Sequence, residues 1–96
     1  MAPLSVALRW TSHANADLAR VHDFLHPVNP AAAARALGQL LAGAKRVPRH
    51  PRLGVRLHEF DPREVRRVVV GDYELRYELD GTDVFVLRIF HVREDR

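Results

Sequence analysis

The first quarter of the chain changes from an alternating pattern to a helical one. Val6, Leu8 and Trp10 alternate with small or polar residues, and this period of two predicts a half-buried β-strand. Apolar residues then recur at helical spacing, and Thr11 or Ser12 can cap the resulting helix by accepting a hydrogen bond from a free backbone N–H group. The apolar stripe consists of Ala14, Leu18, Val21 and Leu25. The helix should end at His26-Pro27, because proline disfavours a helical residue before it.

A second helix is predicted to begin at Asn29-Pro30. Asparagine is a favourable N-cap, and proline at the first helical position loses no hydrogen bond. Lys45 and Arg46 suit the negative end of the helix dipole, and Pro48 stops the helix. Its expected buried stripe is Ala33, Leu37, Leu40, Leu41, Ala44 and Val47. Since the two helices are joined by about four residues, they should pack as an antiparallel hairpin.

From Gly54 onward the hydrophobic pattern has a period of two. Residues 55–60 form a short, ambiguous strand, and residues 66–70 form a clearer one. In residues 73–79 the apolar side chains share one face and the charged side chains the other, which is typical of a sheet covered on one side. Tight turns are predicted at Gly71-Asp72 and Asp80-Gly81. The apolar run 84–89 indicates a strand in the interior of the sheet.

These elements predict an α+β domain over residues 1–96 with the order β-α-α-β-β-β. We expect a twisted, antiparallel-rich sheet with the helical hairpin packed on one face. A chain of 96 residues fits a single domain. It has no apolar stretch of the roughly 18 residues that a membrane span needs and no cysteine for disulfide or thiolate chemistry. The expected location is therefore the cytoplasm, with no membrane association.

The net charge of +3 is unevenly distributed along the chain. Residues 45–67 carry eight basic side chains against three acidic ones, whereas residues 68–96 carry four against seven. A basic segment of this kind can attract nucleic acid or an acidic protein. It can equally be a solvated loop and edge strand, so charge alone does not identify a partner.

No motif in the sequence demands catalysis, a metal or a cofactor. The six histidines lack the spacing of a zinc site. His22 and His26 share a helical face, but Pro27 follows the second and no glutamate lies between them in the metalloprotease arrangement. There is no glycine-rich phosphate loop and no nucleophile elbow. We expect no catalytic residue, no metal and no cofactor.

A specific order of short motifs runs along the chain. A Tyr-x-Leu-x-Tyr strand, a tight turn and an apolar strand are followed by His91-Val92-Arg93. Upstream stand Trp10-Thr11, Asp17-Leu18, Asn29-Pro30-Ala31-Ala32-Ala33 and Pro51-Arg52-Leu53-Gly54. In this order and spacing, over about residues 5–96, the chain resembles small bacterial toxins of the ParE/RelE superfamily. The resemblance implies the toxin component of a type II toxin–antitoxin system.

Two functional branches of this superfamily have to be separated. RelE-like members are ribosome-dependent ribonucleases that use basic side chains, often with a tyrosine, to activate an RNA 2′-hydroxyl and stabilise the phosphate in the transition state. Those ribonucleases commonly carry an arginine after the first tyrosine of the Tyr-x-Leu-x-Tyr strand, where this chain has Glu74. Arg76 is itself flanked by Glu74 and Glu78. The sequence therefore favours the ParE branch, which implies a non-enzymatic toxin that binds DNA gyrase.

The ParE resemblance also implies a second partner, a cognate antitoxin of the ParD type or another acidic antitoxin, in a hetero-oligomer with the toxin. The disordered C-terminal segment of such an antitoxin folds onto the toxin. The apolar flank of the helical hairpin and the basic segment are the expected receiving surfaces, the latter through Arg49, Arg52, Arg56, Arg66 and Arg67. The expected gyrase-binding residues are the charged cluster at the end of the last strand, Arg88, His91, Arg93 and Arg96.

Two alternatives remain open at this stage. One is a ribosome-dependent mRNA endoribonuclease of the RelE type, with Arg76, Arg88, His91 and Arg93 as its basic residues. The other is a non-toxic nucleic-acid-binding or protein-binding module that uses the basic middle of the chain. That module would lack aromatic residues interleaved with the basic ones, on which bases usually stack.

Overall fold

The computed structural model of the chain describes residues 7–93. Its first two elements are the strand β1 (Ala7–Trp10) and the helix α1 (Ser12–Leu25). Thr11 connects them and caps the helix, because its hydroxyl oxygen accepts a hydrogen bond from the N–H of Ala14 at 3.1 Å. The predicted first helix and its threonine cap are therefore confirmed.

The second helix, α2 (Pro30–Arg46), begins where the sequence predicts. The side-chain oxygen of Asn29 accepts a hydrogen bond from the N–H of Ala32 at 3.0 Å. α2 packs against α1, and its apolar stripe faces the core with the exception of Leu41, which is 42% exposed. Leu41 was predicted to be buried. Leu40 of the same predicted stripe is fully buried as expected, and because successive helical residues point about 100° apart, Leu41 is turned toward solvent.

Four more strands complete a five-stranded sheet with the order β1-β5-β4-β3-β2. They are β2 (Val55–Arg56), β3 (Glu64–Val70), β4 (Tyr73–Asp80) and β5 (Asp83–His91). β1 is parallel to β5, and all other neighbours are antiparallel. The α+β fold is thus confirmed, and β5 lies in the interior of the sheet. The ambiguous segment 55–60 forms only the two-residue edge strand β2 and a single 3₁₀ turn.

Two-residue turns connect the three central strands. The β3–β4 turn is Gly71-Asp72, as predicted, and the β4–β5 turn is Gly81-Thr82. The second turn lies one residue later than predicted, because Asp80 still pairs with Asp83 in the ladder. The glycines have φ values of 60° and 61°, a left-handed conformation that other residues rarely adopt.

The core lies between the helices and one face of the sheet. Its larger cluster of buried side chains comprises Ala14, Ala44, Val47, Leu75, Tyr77, Val84 and Val86, and a second cluster comprises Val21, Leu40 and Ile89. The opposite face, called the open face below, carries the charged side chains of β4. The alternation predicted for that strand is therefore confirmed. None of the helices within residues 7–93 is long and apolar enough to cross a membrane.

A β-bulge in β5 changes which side chains reach the open face. Tyr77 pairs with Val86, whereas Arg76 pairs with Arg88, so Leu87 is an extra residue in the ladder. Without the bulge, Arg88 would lie opposite Leu75 on the helix-covered face. With it, Arg88 lies on the open face beside Arg76.

Candidate functional site

The free edge of β5 is closed by residues at the start of α1. β1 pairs with β5 only as far as Val86, so the backbone groups beyond it need other partners. Thr11 donates hydrogen bonds from its N–H to the carbonyl of Val86 (3.1 Å) and from its hydroxyl to the carbonyl of Leu87 (3.0 Å). The carboxylate of Asp17 accepts a hydrogen bond from the N–H of Ile89 at 2.8 Å. α1 is thereby fastened to the second half of β5.

Asp17 is 1% exposed and is shared by two arginines. Arg88 donates from Nε at 2.9 Å and Arg20 donates from Nη1 at 2.8 Å. Burial alone would raise the pKa of Asp17, but the hydrogen bonds from Arg88, the Ile89 N–H and Arg20 outweigh it and hold the pKa below its ordinary value. The buried carboxylate therefore stays charged and fixes the position of Arg88.

A groove of about 730 Å³ lies beside this anchor, between α1, α2 and the β3–β4 turn. We call it the helix groove. Its apolar lining includes Val21, Phe24, Leu25, Ala36, Tyr73 and Ile89. Its polar and charged lining comprises Arg20, Arg35, Gln39, Asp72 and His91. Phe24 is 79% exposed, so a large aromatic side chain faces solvent at the side of an apolar groove.

Glu74 is the buried charge of the open face. It is 1% exposed, and its carboxylate accepts hydrogen bonds from Arg76 (Nη2, 3.1 Å) and Arg67 (Nη1, 3.5 Å). The guanidinium carbon of Arg76 lies 5.6 Å from the ring centre of Phe60 and 5.1 Å from that of Phe90, within cation–π range. Both arginines are therefore held by a carboxylate, and one of them is also held between two aromatic rings.

Both tyrosines of the chain lie on the helix-covered face. The Tyr77 hydroxyl accepts a hydrogen bond from the N–H of Gly54 and donates one to the carbonyl of Pro51, each at 2.8 Å. Burial raises the pKa of Tyr77, and burial together with the nearby Asp72 raises that of Tyr73. Neither phenol ionises near neutral pH, and neither reaches the open face.

The predicted gyrase-binding residues do not share one surface. Arg88 lies on the open face and pairs with Asp17, whereas His91 lines the helix groove and packs edge-to-face on Tyr73, with ring centres 5.4 Å apart. Arg93 is exposed in the turn after β5, and Arg96 lies outside the described residues. No contact tests their role, which stays a prediction.

The predicted antitoxin-binding arginines are also spread over several surfaces. Adjacent strand residues point to opposite faces, so Arg66 and Arg67 diverge. Their contacts differ accordingly, since Arg66 bonds to Glu64 (2.9 Å) and to the carbonyl of Gly54 (2.7 Å). Arg56 pairs with Asp61 at 2.9 Å, and Arg52 pairs with Glu64 at 3.3 Å. Arg49 is exposed. Their role in antitoxin binding likewise stays a prediction.

The sequence contained one unused signal for the Asp17 anchor. Asp17 stands within the apolar stripe of α1, between Ala14 and Val21, where a charge is costly unless it is paired. Its partners are 71 and 72 residues away in the sequence, so the pattern could not identify them. Across residues 7–93, no three histidine, aspartate or glutamate side chains come close enough together to hold a metal ion. His22 and His26 stack with ring centres 4.8 Å apart.

Comparison with known proteins adds to these observations. A family model described as the ParE toxin of the type II toxin–antitoxin system parDE matches residues 8–96. No curated protein matches the sequence. Among solved structures, one from the chromosomal ParDE system of P. aeruginosa superposes with a TM-score of 0.76 at 22% identity, covering 91% of this chain and 96% of that one. That likeness shows the fold.

A second solved structure comes from the RelBE2 toxin–antitoxin complex of Mycobacterium tuberculosis. Its TM-score is 0.63 at 29% identity, covering 92% of this chain and 99% of that one. Both superpositions thus extend over nearly the whole fold described above. Since the family model itself covers almost all of the sequence, this chain belongs to the ParE family of toxins of type II toxin–antitoxin systems.

Proposed function

We propose that this toxin inhibits DNA gyrase by binding it, without catalysis, and that an antitoxin neutralises it. The observation that carries the proposal is the buried Glu74 on the open face. A ribonuclease of the RelE type needs cationic groups there to stabilise the phosphate in the transition state. Here the carboxylate of Glu74 takes up one hydrogen bond each from Arg67 and Arg76. A carboxylate thus stands where such a ribonuclease commonly has an arginine, and it fixes two of the arginines of this face in ion pairs.

The tyrosines support the same conclusion. An RNA-cleaving site needs a group within hydrogen-bonding distance of the 2′-hydroxyl. The hydroxyl of Tyr77 is already bonded to Gly54 and Pro51 on the other side of the sheet. Tyr73 also lies on that side, with a raised pKa. Neither residue is placed to act as a general base on the open face, so binding explains toxicity better than catalysis does.

We expect purified toxin to inhibit supercoiling by DNA gyrase and to increase the amount of linear plasmid trapped on the enzyme. Such a toxin would hold gyrase in a state in which cleaved DNA is not resealed. The measurement is a supercoiling assay with and without denaturation of the cleaved complex. The matched control is the same folded protein added to translating ribosomes. RNA cleavage there, together with unaffected gyrase, would show that the protein is a RelE-type ribonuclease.

The helix groove is the surface that best fits the antitoxin. Its lining is mostly apolar and includes the exposed Phe24, and the exposed Val28 lies in the loop between the two helices. An amphipathic segment that folds on binding would cover these side chains. Arg20 and Arg35 also line the groove, and their charge complements an acidic segment. The groove therefore offers both contacts that an acidic, disordered antitoxin segment needs.

Replacing Phe24 with aspartate should weaken antitoxin binding by about 100-fold, as expected when an aromatic anchor is lost from an interface. The substitution also places a negative charge against an acidic partner. Because Phe24 is 79% exposed, we expect its loss to leave the fold intact. The measurement is titration calorimetry with the C-terminal segment of the antitoxin that is encoded beside the toxin.

The matched control for this variant is Val55→Asp. Val55 is 64% exposed, but it lies on the edge strand β2 and not in the groove. Its substitution should leave the affinity unchanged. Because Val55 is next to Arg56, one of the predicted antitoxin-binding arginines, equal losses of affinity in the two variants would favour the basic segment over the groove as the docking surface.

A further inference from the structure

Three arginines stand in a row across the open face. Arg67 on β3 is directly opposite Arg76 on β4, and Arg76 is directly opposite Arg88 on β5. Like charges in directly opposite positions destabilise a sheet. The third member reaches the row only because of the β-bulge at Leu87. We call these three residues the arginine row.

Two buried carboxylates hold the arginine row in place. Glu74 is shared by Arg67 and Arg76, and Asp17 is shared by Arg88 and Arg20. The side chains of Arg67 and Arg88 remain 44% and 39% exposed, whereas the side chains of Glu74 and Asp17 are only 2% exposed. A ligand approaching this face would meet guanidinium groups and not the carboxylates below them.

Aromatic and aliphatic side chains surround the row. The guanidinium of Arg88 packs on Phe90 at 4.9 Å from the ring centre, and Phe90 also supports Arg76. Val69, on the same face, is 58% exposed. Immobilised arginines among aromatic and aliphatic side chains are typical of the energetic centres of protein–protein interfaces.

From this arrangement we infer that the arginine row binds an acidic helix of the toxin's protein target; this rests on the proposed function, in which the toxin acts by binding. Neighbouring strands are about 4.8 Å apart. Helix residues three or four apart are about 5–6 Å apart and match that spacing, whereas alternate residues of an extended chain are about 6.6 Å apart. A helix with carboxylates at positions i, i+4 and i+7 can therefore place one carboxylate on each arginine.

The rest of the open face disfavours a nucleic acid. Glu78, Asp80 and Asp83 follow the row along the same strands, and two of them already pair with Arg63 and Arg9. A phosphate backbone that ran along the strands would meet these acidic side chains, and nucleic-acid affinity depends on the number of phosphates neutralised. A helix that crosses the three strands at the row avoids them.

The test uses the full-length toxin and a stapled helical peptide with glutamates at i, i+4 and i+7. A peptide of identical composition, with its glutamates distributed around the helix, is the reference. We expect the patterned peptide to bind at least about tenfold more tightly. Equal affinities of the two peptides would overturn the inference. It would also be overturned if a single-stranded RNA or duplex DNA oligonucleotide bound more tightly than the patterned peptide and displaced it.

The decisive variant replaces Glu74 and Arg76 with glutamine together. The net charge is unchanged and no buried carboxylate is left without its partner, so the fold should be retained. We expect patterned-peptide affinity to fall by about tenfold. The matched control is Arg63→Gln with Glu78→Gln, which removes a salt bridge of 2.7 Å from the same face away from the row. If both double variants lose affinity equally, the row is not the binding surface.

A second variant tests the inference even if the double variant does not fold. Arg67→Gln removes an exposed member of the row whose bond to Glu74 is long, at 3.5 Å. It should also weaken peptide binding with little loss of stability. If the Glu74/Arg76 double variant does not fold and Arg67→Gln still binds the patterned peptide as tightly as the wild type does, the inference is overturned.

Failure of this inference is distinguishable from failure of the proposed function. If the wild-type toxin poisons gyrase and the Glu74/Arg76 variant does so equally well, the arginine row is not the target surface, and gyrase remains the target. If the patterned peptide binds as expected but gyrase is unaffected, the row is an acidic-helix site for another protein, and the proposed target is wrong.

Discussion

Replacing Asp17 with alanine is expected to lower the free energy of unfolding by about 3–5 kcal/mol, the usual cost of breaking a buried ion pair. The substitution leaves the N–H of Ile89 without its partner and Arg88 without its buried counter-charge. A domain of this size is stable by only about 5–15 kcal/mol, so the loss is a large part of the total. The loss of stability is measured by urea denaturation monitored by circular dichroism.

The control for this prediction is Asp23→Ala on the same helix. The Asp23 side chain is 80% exposed and pairs with the imidazole of His22 at 3.2 Å. Its removal should change stability by no more than about 0.5 kcal/mol. If the two variants have the same stability, the Asp17 anchor does not hold α1 to β5.

The contribution of Asp17 to the free energy of unfolding should also depend on pH. The pKa of Asp17 in the folded protein lies below its ordinary value, because hydrogen bonds from Arg88, Ile89 and Arg20 outweigh the effect of burial. The stabilisation is therefore fully present above the unfolded-state pKa of about 3.9 and is lost as the pH falls through the folded-state pKa. The stability difference between wild type and Asp17→Asn should accordingly narrow below about pH 4. A constant difference would contradict this assignment.

Gly54→Ala is the second substitution with a large expected effect, a destabilisation of about 3 kcal/mol from overpacking. A Cβ atom at this position would lie 2.5 Å from the carbonyl oxygen and 2.9 Å from the carbonyl carbon of Arg67, which are backbone atoms and cannot rotate away. The backbone shift would also strain the hydrogen bonds from Gly54 to Tyr77 and from Arg66 to Gly54. The midpoint of urea unfolding gives the size of the loss.

Gly38→Ala provides the matched comparison. Gly38 lies within α2, and apart from its chain neighbours and the local backbone of the helix no atom would come within 4 Å of its added Cβ. Alanine is favoured over glycine in a helix by about 0.5–1 kcal/mol, so this variant should be more stable than wild type. The same chemical change is thus expected to have opposite signs at the two positions. Destabilisation at both would indicate that the close approach of Gly54 to β3 is not the cause.

The local pattern of the sequence was sufficient for much of the fold. The alternation in residues 73–79 identified the two faces of β4, and Asn29 and Thr11 identified the beginnings of the helices. These signals depend on neighbouring residues, so they can be read from one segment at a time.

The open face could not be predicted in the same way. Arg88 was assigned to a cluster with His91 because the two are close in sequence, yet the bulge at Leu87 and strand alternation place them on opposite faces. The sequence identifies Glu74 as a charge unfavourable to RNA, but it does not show that this carboxylate holds Arg67 and Arg76. Both facts depend on cross-strand register, which the hydrophobic pattern of β5 leaves open because that strand is apolar on both sides.

The parallel pairing of β1 with β5 has a consequence for the order of events during synthesis. Ala7 pairs with Asp83 and Trp10 pairs with Val86, so the first described strand has no partner in the sheet until β5 has been made. At about 5–20 residues per second, the chain spends several seconds without this pairing. Such long-range contacts also slow folding once the chain is complete. The strands β2, β3 and β4 can pair as soon as they have been made, whereas the complete five-stranded sheet has to wait for β5.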